Sequence, residues 1–182
     1  MLIISALAVV LTPASAGAQT SIGTQTLDLT LQAAGLLYGF PSSVTLTKTG
    51  AVFTTYSGTL TVQYKARTSS TGTGNITVRA TTDFPCSSGG PCIATPPSTG
   101  DALKYTCTGA TLGSNCSGTQ TVSTATATSV VTAIPSSSCT GGGSPCSSAN
   151  PNTVTVNFTL TDDPKYKTGS YSATLTFTIS AT

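Results

Sequence analysis

An all-β fold is what this sequence predicts: a single antiparallel β-sandwich of about eight strands with long loops. Three observations lead there. Apolar and polar residues alternate strictly over five segments, the signature of strands with one buried face. Stretches rich in Gly, Ser, Pro and Asn separate those runs and supply the chemistry of turns. No window carries a 3.6-residue apolar period bounded by helix caps.

The elements follow in chain order. Leu27-Asp-Leu-Thr-Leu31 alternates leucine with polar residues, and Val44-Thr-Leu46 is a weaker strand. Over Leu60–Arg67 the inward set is Leu60, Val62, Tyr64 and Ala66. Asn75–Ala80 repeats the pattern with Ile76 and Val78. Leu103–Cys107 and the Thr/Ala run from Thr121 to Ile134 are weaker again. Val154–Leu160 turns Val154, Val156, Phe158 and Leu160 inward, and Tyr171–Ile179 does so with Ala173, Leu175, Phe177 and Ile179. The intervening threonines are β-branched and suit a pleated, solvated surface. Strands at this spacing imply antiparallel sheets with one wet face each. Segments 84–100, 108–120 and 135–152 are loops. No linker divides the remainder, so 19–182 reads as one domain.

The first residues read as an export signal. An apolar run from Leu2 to Leu11 is broken by Pro13, and Ala14-Ser-Ala16 and Ala16-Gly-Ala18 fit small-x-small cleavage sites. The run is shorter than the roughly 20 apolar residues a membrane-spanning helix needs. A leader over 1–18 and a mature chain starting near Gly17 or Gln19 are expected, with no membrane span after its removal. The n-region carries no Lys or Arg.

The six cysteines fit neither metal nor redox chemistry. Neighbouring pairs are separated by five, eight and six residues, and histidine is absent. Zinc sites favour closer C-x2-4-C pairs, and redox sites favour C-x-x-C beside an activating group. An even count behind an export signal points to disulfides. Fifteen pairings exist in principle. Each neighbouring pair flanks a Gly/Ser/Pro loop, so Cys86–Cys92, Cys107–Cys116 and Cys139–Cys146 are expected, as loop clamps. A regulatory disulfide is the weaker alternative, because nothing in the sequence activates a thiolate.

Composition excludes several function classes. Charged residues are 7% of the chain, against roughly 25% in an ordinary domain. The net charge of +2 is spread thinly, which gives no footprint for nucleic acid. Without histidine, Ser-His-Asp and Cys-His systems are excluded, and no serine is placed beside Lys65 or Lys104 to make a Ser-Lys pair. Asp162 and Asp163 are the only adjacent carboxylates. They could help bind calcium, but the nearby sequence lacks the further oxygens such a site needs, and their run also reads as a turn. Gly141–Gly143 lacks the pattern of a phosphate loop. No enzyme activity, cofactor or metal is expected. Tyr38, Tyr56, Tyr105 and Tyr166 are candidates for stacking on sugars, though strand tyrosines more often pack. Asn75-Ile-Thr, Asn115-Cys-Ser and Asn157-Phe-Thr fit the glycosylation sequon. Thr174, Thr176 and Thr178 form a T-x-T run, read as the wet face of a sheet.

The chain's ending carries a resemblance. Gly169, Tyr171, Leu175, Phe177 and Ile179 form a pattern similar to the closing strand of fimbrial-subunit-like domains of the spore coat protein U and pilin type. The similarity covers about fourteen residues. Those families carry an early cysteine, whereas here the cysteines sit in mid-chain loops. The resemblance implies an immunoglobulin-like or jelly-roll-like sandwich used as a building block of fibres and surfaces. It further implies that Leu27, Leu29 and Leu31, within a possible donor strand at 19–36, fill a groove in a neighbouring copy. Strand addition takes affinity from main-chain bonds and specificity from alternate side chains. The plainer alternative makes Leu27–Leu31 the first strand of its own sheet. The expected function is therefore a secreted, extracellular subunit whose partners are other copies of itself. The alternative is a monomeric adhesion or carbohydrate-binding module with surface glycans as partners.

Overall fold

The computed structural model describes residues 26–48, 50–69, 71–135 and 152–182. The chain forms two units, Met1–Thr30 and Leu31–Thr182. In the first, residues 26–30 are described and carry no strand. The expected leader, and the pair Cys139 and Cys146, lie outside the described residues.

The second unit is all-β and antiparallel. Its only helical turns among the described residues are 3-10 turns at Cys86–Ser88 and Thr99–Asp101. Ten strands are present there, rather than about eight. They are β1 (Ala34–Tyr38), β2 (Thr47–Lys48), β3 (Thr55–Arg67), β4 (Gly74–Thr82) and β5 (Lys104–Thr108), then β6 (Ser114–Asn115), β7 (Gln120–Thr121), β8 (Thr128–Ile134), β9 (Asn152–Thr161) and β10 (Thr174–Ala181). One sheet runs β1-β3-β9-β5-β7, with β2 also on β3; the other runs β10-β4-β8-β6.

The differences from expectation have local causes. Leu27–Leu31 forms no strand; the first is β1, whose sequence AGLLY clusters its apolar residues and hides any period of two. Val44 and Leu46 pack against the core without pairing, and β2 forms just after them. The run 121–134 splits in two. The Ser123 hydroxyl accepts the N–H groups of Ala125 and Thr126, both at 3.1 Å, and this local turn competes with the ladder. Within β8 the register against β4 shifts twice. Ala133 takes a positive φ of 52° there, as bulged strands allow. The shift leaves Val130 and Val131, neighbours in sequence, both buried.

The longest ladder pairs β3 with β9, from Thr55 opposite Thr161 to Tyr64 opposite Asn152. Its inner face carries Leu60, Val62 and Tyr64 on one strand and Val154, Val156, Phe158 and Leu160 on the other, all buried. Ile76, Val78, Ala80, Val130 and Val131 from the second sheet join the same hydrophobic cluster. Burying each large side chain contributes roughly 1.5–3 kcal/mol. Two core tyrosines satisfy their hydroxyls without reaching water. Tyr64 donates to the Leu112 carbonyl. Tyr105, on β5, donates to the Ser129 carbonyl of β8 at 2.7 Å and so ties one sheet to the other.

The outer face of the first sheet is wet. Thr59, Asn157 and Thr106 lie abreast on β3, β9 and β5. The Thr59 hydroxyl donates to Asn157 Oδ1 at 3.1 Å. Gly58 lies opposite Phe158, and its missing side chain admits the 44–46 segment. A Cβ there would stand 2.7 Å from Leu46 Cδ2 and 3.0 Å from the Thr45 carbonyl oxygen. Gly58→Ala is therefore predicted to destabilise the fold by about 1–3 kcal/mol through overpacking. Denaturant unfolding of the variant beside the parent checks this.

Candidate functional site

Two of the expected disulfides are formed, Cys86–Cys92 and Cys107–Cys116. They do different jobs. Cys86–Cys92 closes a local loop, as expected. Cys107–Cys116 does more than clamp its loop. Cys107 lies in β5 of the first sheet, while Cys116 directly follows β6 of the second. The N–H of Cys116 also bonds the Val130 carbonyl of β8 at 3.0 Å. Both sulfurs are in the core, so this bridge staples sheet to sheet. Spacing in the sequence could not reveal that, because it depends on which sheet each flanking strand joins.

The leucines singled out in the sequence are exposed. Leu27 is 93% exposed, Leu29 77% and Leu31 64%. Alternating leucines in water are an uncovered apolar ridge. Other large apolar residues at the surface among the described residues are Leu36, Phe40, Val52 and Phe53. Phe53 holds a positive φ of 60°, a costly conformation for a bulky side chain.

The sheet edges differ in protection. The edge beside β3 is interrupted between β1 and β2, where eight residues from Gly39 to Leu46, including Pro41, connect the two strands across the five β3 residues Gly58–Val62. On the far side, β7 is two residues long, and in the other sheet β6 is two residues long. By contrast β10 is an eight-residue end strand without a charge or a proline. Its Leu175, Phe177 and Ile179 lean on the core while Thr174, Thr176 and Thr178 face water.

None of the sugar-stacking candidates is fully exposed. Tyr105 is fully buried, and Tyr38, Tyr56 and Tyr166 are half-buried. Lys65 lies over the Tyr38 ring and Lys48 over the Tyr56 ring, each 5.5 Å from the centroid. Of the sequon asparagines, Asn75 and Asn115 are exposed, while Asn157 is half-buried and held by Thr59.

The paired aspartates are engaged within the chain. Asp162 accepts Lys48 Nζ at 2.7 Å. Asp163 accepts the Lys165 N–H at 2.8 Å. That bond, with help from the Asp101 side chain and the Lys165 charge, holds the Asp163 carboxyl below the usual range. Asp101 is buried and accepts the Ser98 hydroxyl at 2.8 Å. Among the described residues, Asp83 also gathers with Cys86 and Cys92. Those sulfurs are in a disulfide, and Asp83 accepts the N–H groups of Phe84, Ile93 and Ala94 at 2.7–2.8 Å. Asp83 thus caps the loop base. No helix among the described residues is long and apolar enough to cross a membrane.

No protein-family model, curated protein or solved structure matches this chain.

Tyr166 gives the fold a signature at alkaline pH. Its hydroxyl is buried and has no hydrogen-bond partner among the described residues. Burial, then the charges of Asp101, Asp163 and Asp162, push its pKa up to about 12 from 10.0. The folded value lies above the unfolded one. Its contribution is therefore complete below pH 10 and is lost as pH rises from there through about 12. Tyr64 and Tyr105 are shifted the same way by burial. Stability is predicted to fall above about pH 10, and to fall less steeply in Tyr166→Phe. Thermal unfolding across that range, with brief exposure to base, checks both.

Proposed function

We propose that this chain is an exported structural subunit, a disulfide-stapled β-sandwich of immunoglobulin-like or jelly-roll-like type, that self-assembles into an extracellular fibre or surface layer. One observation carries the reading: Leu27, Leu29 and Leu31 alternate with polar residues, are exposed, and lie outside any strand. A strand-patterned segment without a sheet is suited to completing a sheet in another copy. The edge it would join is that of β10, which carries none of the charges or prolines that normally blunt an edge. A head-to-tail contact of this kind does not close on itself and propagates as a filament.

Two further features agree with the reading. Disulfides persist in oxidising compartments outside the cytosol, as an exported protein requires. A chain with 7% charged residues has little self-repulsion to oppose association. The second reading, a monomeric adhesion or glycan-binding module, draws on the outward Thr and Asn rows of β3, β9 and β5.

The test uses material sheared from producing cells and run unheated on a non-reducing gel beside a boiled sample. Subunit polymers give a ladder that collapses on boiling; a single band in both lanes supports the monomeric module. Leu29→Asp is predicted to abolish the ladder while leaving the monomer's circular dichroism and melting unchanged, since Leu29 is exposed. An intact ladder from a folded Leu29→Asp protein contradicts strand donation.

A further inference from the structure

The loop Cys86-Ser-Ser-Gly-Gly-Pro-Cys92 does not stand free. Its turn is set by Gly89, which has a φ of 79° and returns its N–H to the Cys86 carbonyl at 3.4 Å. The Gly89 carbonyl then accepts the N–H of Lys167, at 3.0 Å, from the connection between β9 and β10. Beside it Gly90 is buried, and the space a Cβ would take is filled by the Tyr171 ring, Cε1 foremost. The Tyr171 hydroxyl donates to the Lys167 carbonyl at 2.7 Å, and a Cβ added at Gly169 would stand 3.5 Å from the same ring. Tyr171 lies three residues before β10, the end strand of its sheet.

We infer that the Cys86–Cys92 loop is a redox-dependent latch: closed, it seats Tyr171 and orders the approach to β10; opened, it releases that connection while the two sheets remain joined. The shape of the seat depends on the bridge. The two Cα atoms are 4.9 Å apart, which bends the five intervening residues into the arc that presents Gly89 and Gly90. Without the bond, a Gly-Gly-Pro segment has many other conformations to occupy. The sheets have their own staple in Cys107–Cys116, buried in the core, whereas Cys86 is partly exposed. Of these two bridges, a dithiol therefore reaches the latch first. Its thiolate attacks one cysteine sulfur and expels the other as a thiolate, leaving a mixed disulfide; its second thiolate then attacks the reagent sulfur of that bond and expels the first cysteine. Cys86 and Cys92 are left as thiols and the reagent departs as a cyclic disulfide.

The experiment is hydrogen exchange with mass spectrometry on the full mature chain as parent, as C86S/C92S and as G90A. C86S/C92S removes the latch and leaves the sheet staple. G90A keeps the disulfide but puts a methyl group where the Tyr171 ring sits. Both are expected to exchange about tenfold faster over 166–173 and the start of β10, with β3 and β9 peptides unchanged. Parent protein treated with a dithiol until alkylation finds thiols at Cys86 and Cys92 only should match C86S/C92S. The inference is overturned if 166–173 exchanges at the parent rate in C86S/C92S or in G90A. It is also overturned if C86S/C92S exchanges faster throughout β3 and β9, because the bridge would then brace the whole fold.

Discussion

The structure depends on the register of β9 against β3. Each strand buries one side chain in two, so a slip of one residue would turn Val154, Val156, Phe158 and Leu160 out to water and Thr153, Thr155, Asn157 and Thr159 into the core. The penalty for that slip is the loss of several large side chains' burial plus several unpaired hydroxyls, far above the few kcal/mol by which a domain is stable. Everything else is positioned by this ladder. It sets Gly58 opposite Phe158, where the 44–46 segment enters. It also sets β5 on the far edge of β9, where Tyr105 reaches Ser129 and Cys107 reaches Cys116. Polar reach across the core and one covalent staple thus join two sheets whose contact is otherwise apolar and non-directional.

Low charge gives the molecule its character. Most sheets blunt their edges with lysines and prolines; here only seven basic residues are available. Protection comes instead from geometry: a looped-out segment between β1 and β2, and strands of two residues at β6 and β7. β10 is the exception. Its N-terminal approach is held by Tyr171 on Gly90, so the same connection that leads to the unprotected strand is the one seated on the small disulfide loop. An uncharged edge at one place and an uncovered leucine ridge at another are complementary liabilities, and the proposed subunit role makes them a means of assembly.

Much of the fold is legible in the sequence because period two survives wherever a strand is long and has one buried face. β3, β4, β9 and β10 announce themselves through Leu60, Ile76, Val156 and Phe177 and their alternating partners. The pattern fails where tertiary structure breaks the period. In β8 a bulge buries two adjacent valines; β1 reads as an apolar cluster; β2, β6 and β7 are too short to show any period. Leu27–Leu31 fails in the opposite sense, with perfect alternation and no strand. Of the candidate site, the nearest-neighbour pairing of Cys86–Cys92 and Cys107–Cys116 is readable from loop composition, but the staple and latch roles are not. They depend on long-range placement: Cys116 beside β8, and Gly90 beneath a tyrosine 81 positions later in the chain.

The most direct test is residue-resolved hydrogen exchange on the mature chain, first as a dilute monomer and then as assembled material. Leu60–Tyr64 and Val154–Phe158 are expected to be the most protected amides in both states. Residues 27–31 are expected to exchange without protection in the monomer and to become protected on assembly. Protection of 27–31 in the dilute monomer would contradict strand donation, because the leucine segment would then already be a strand of its own sheet.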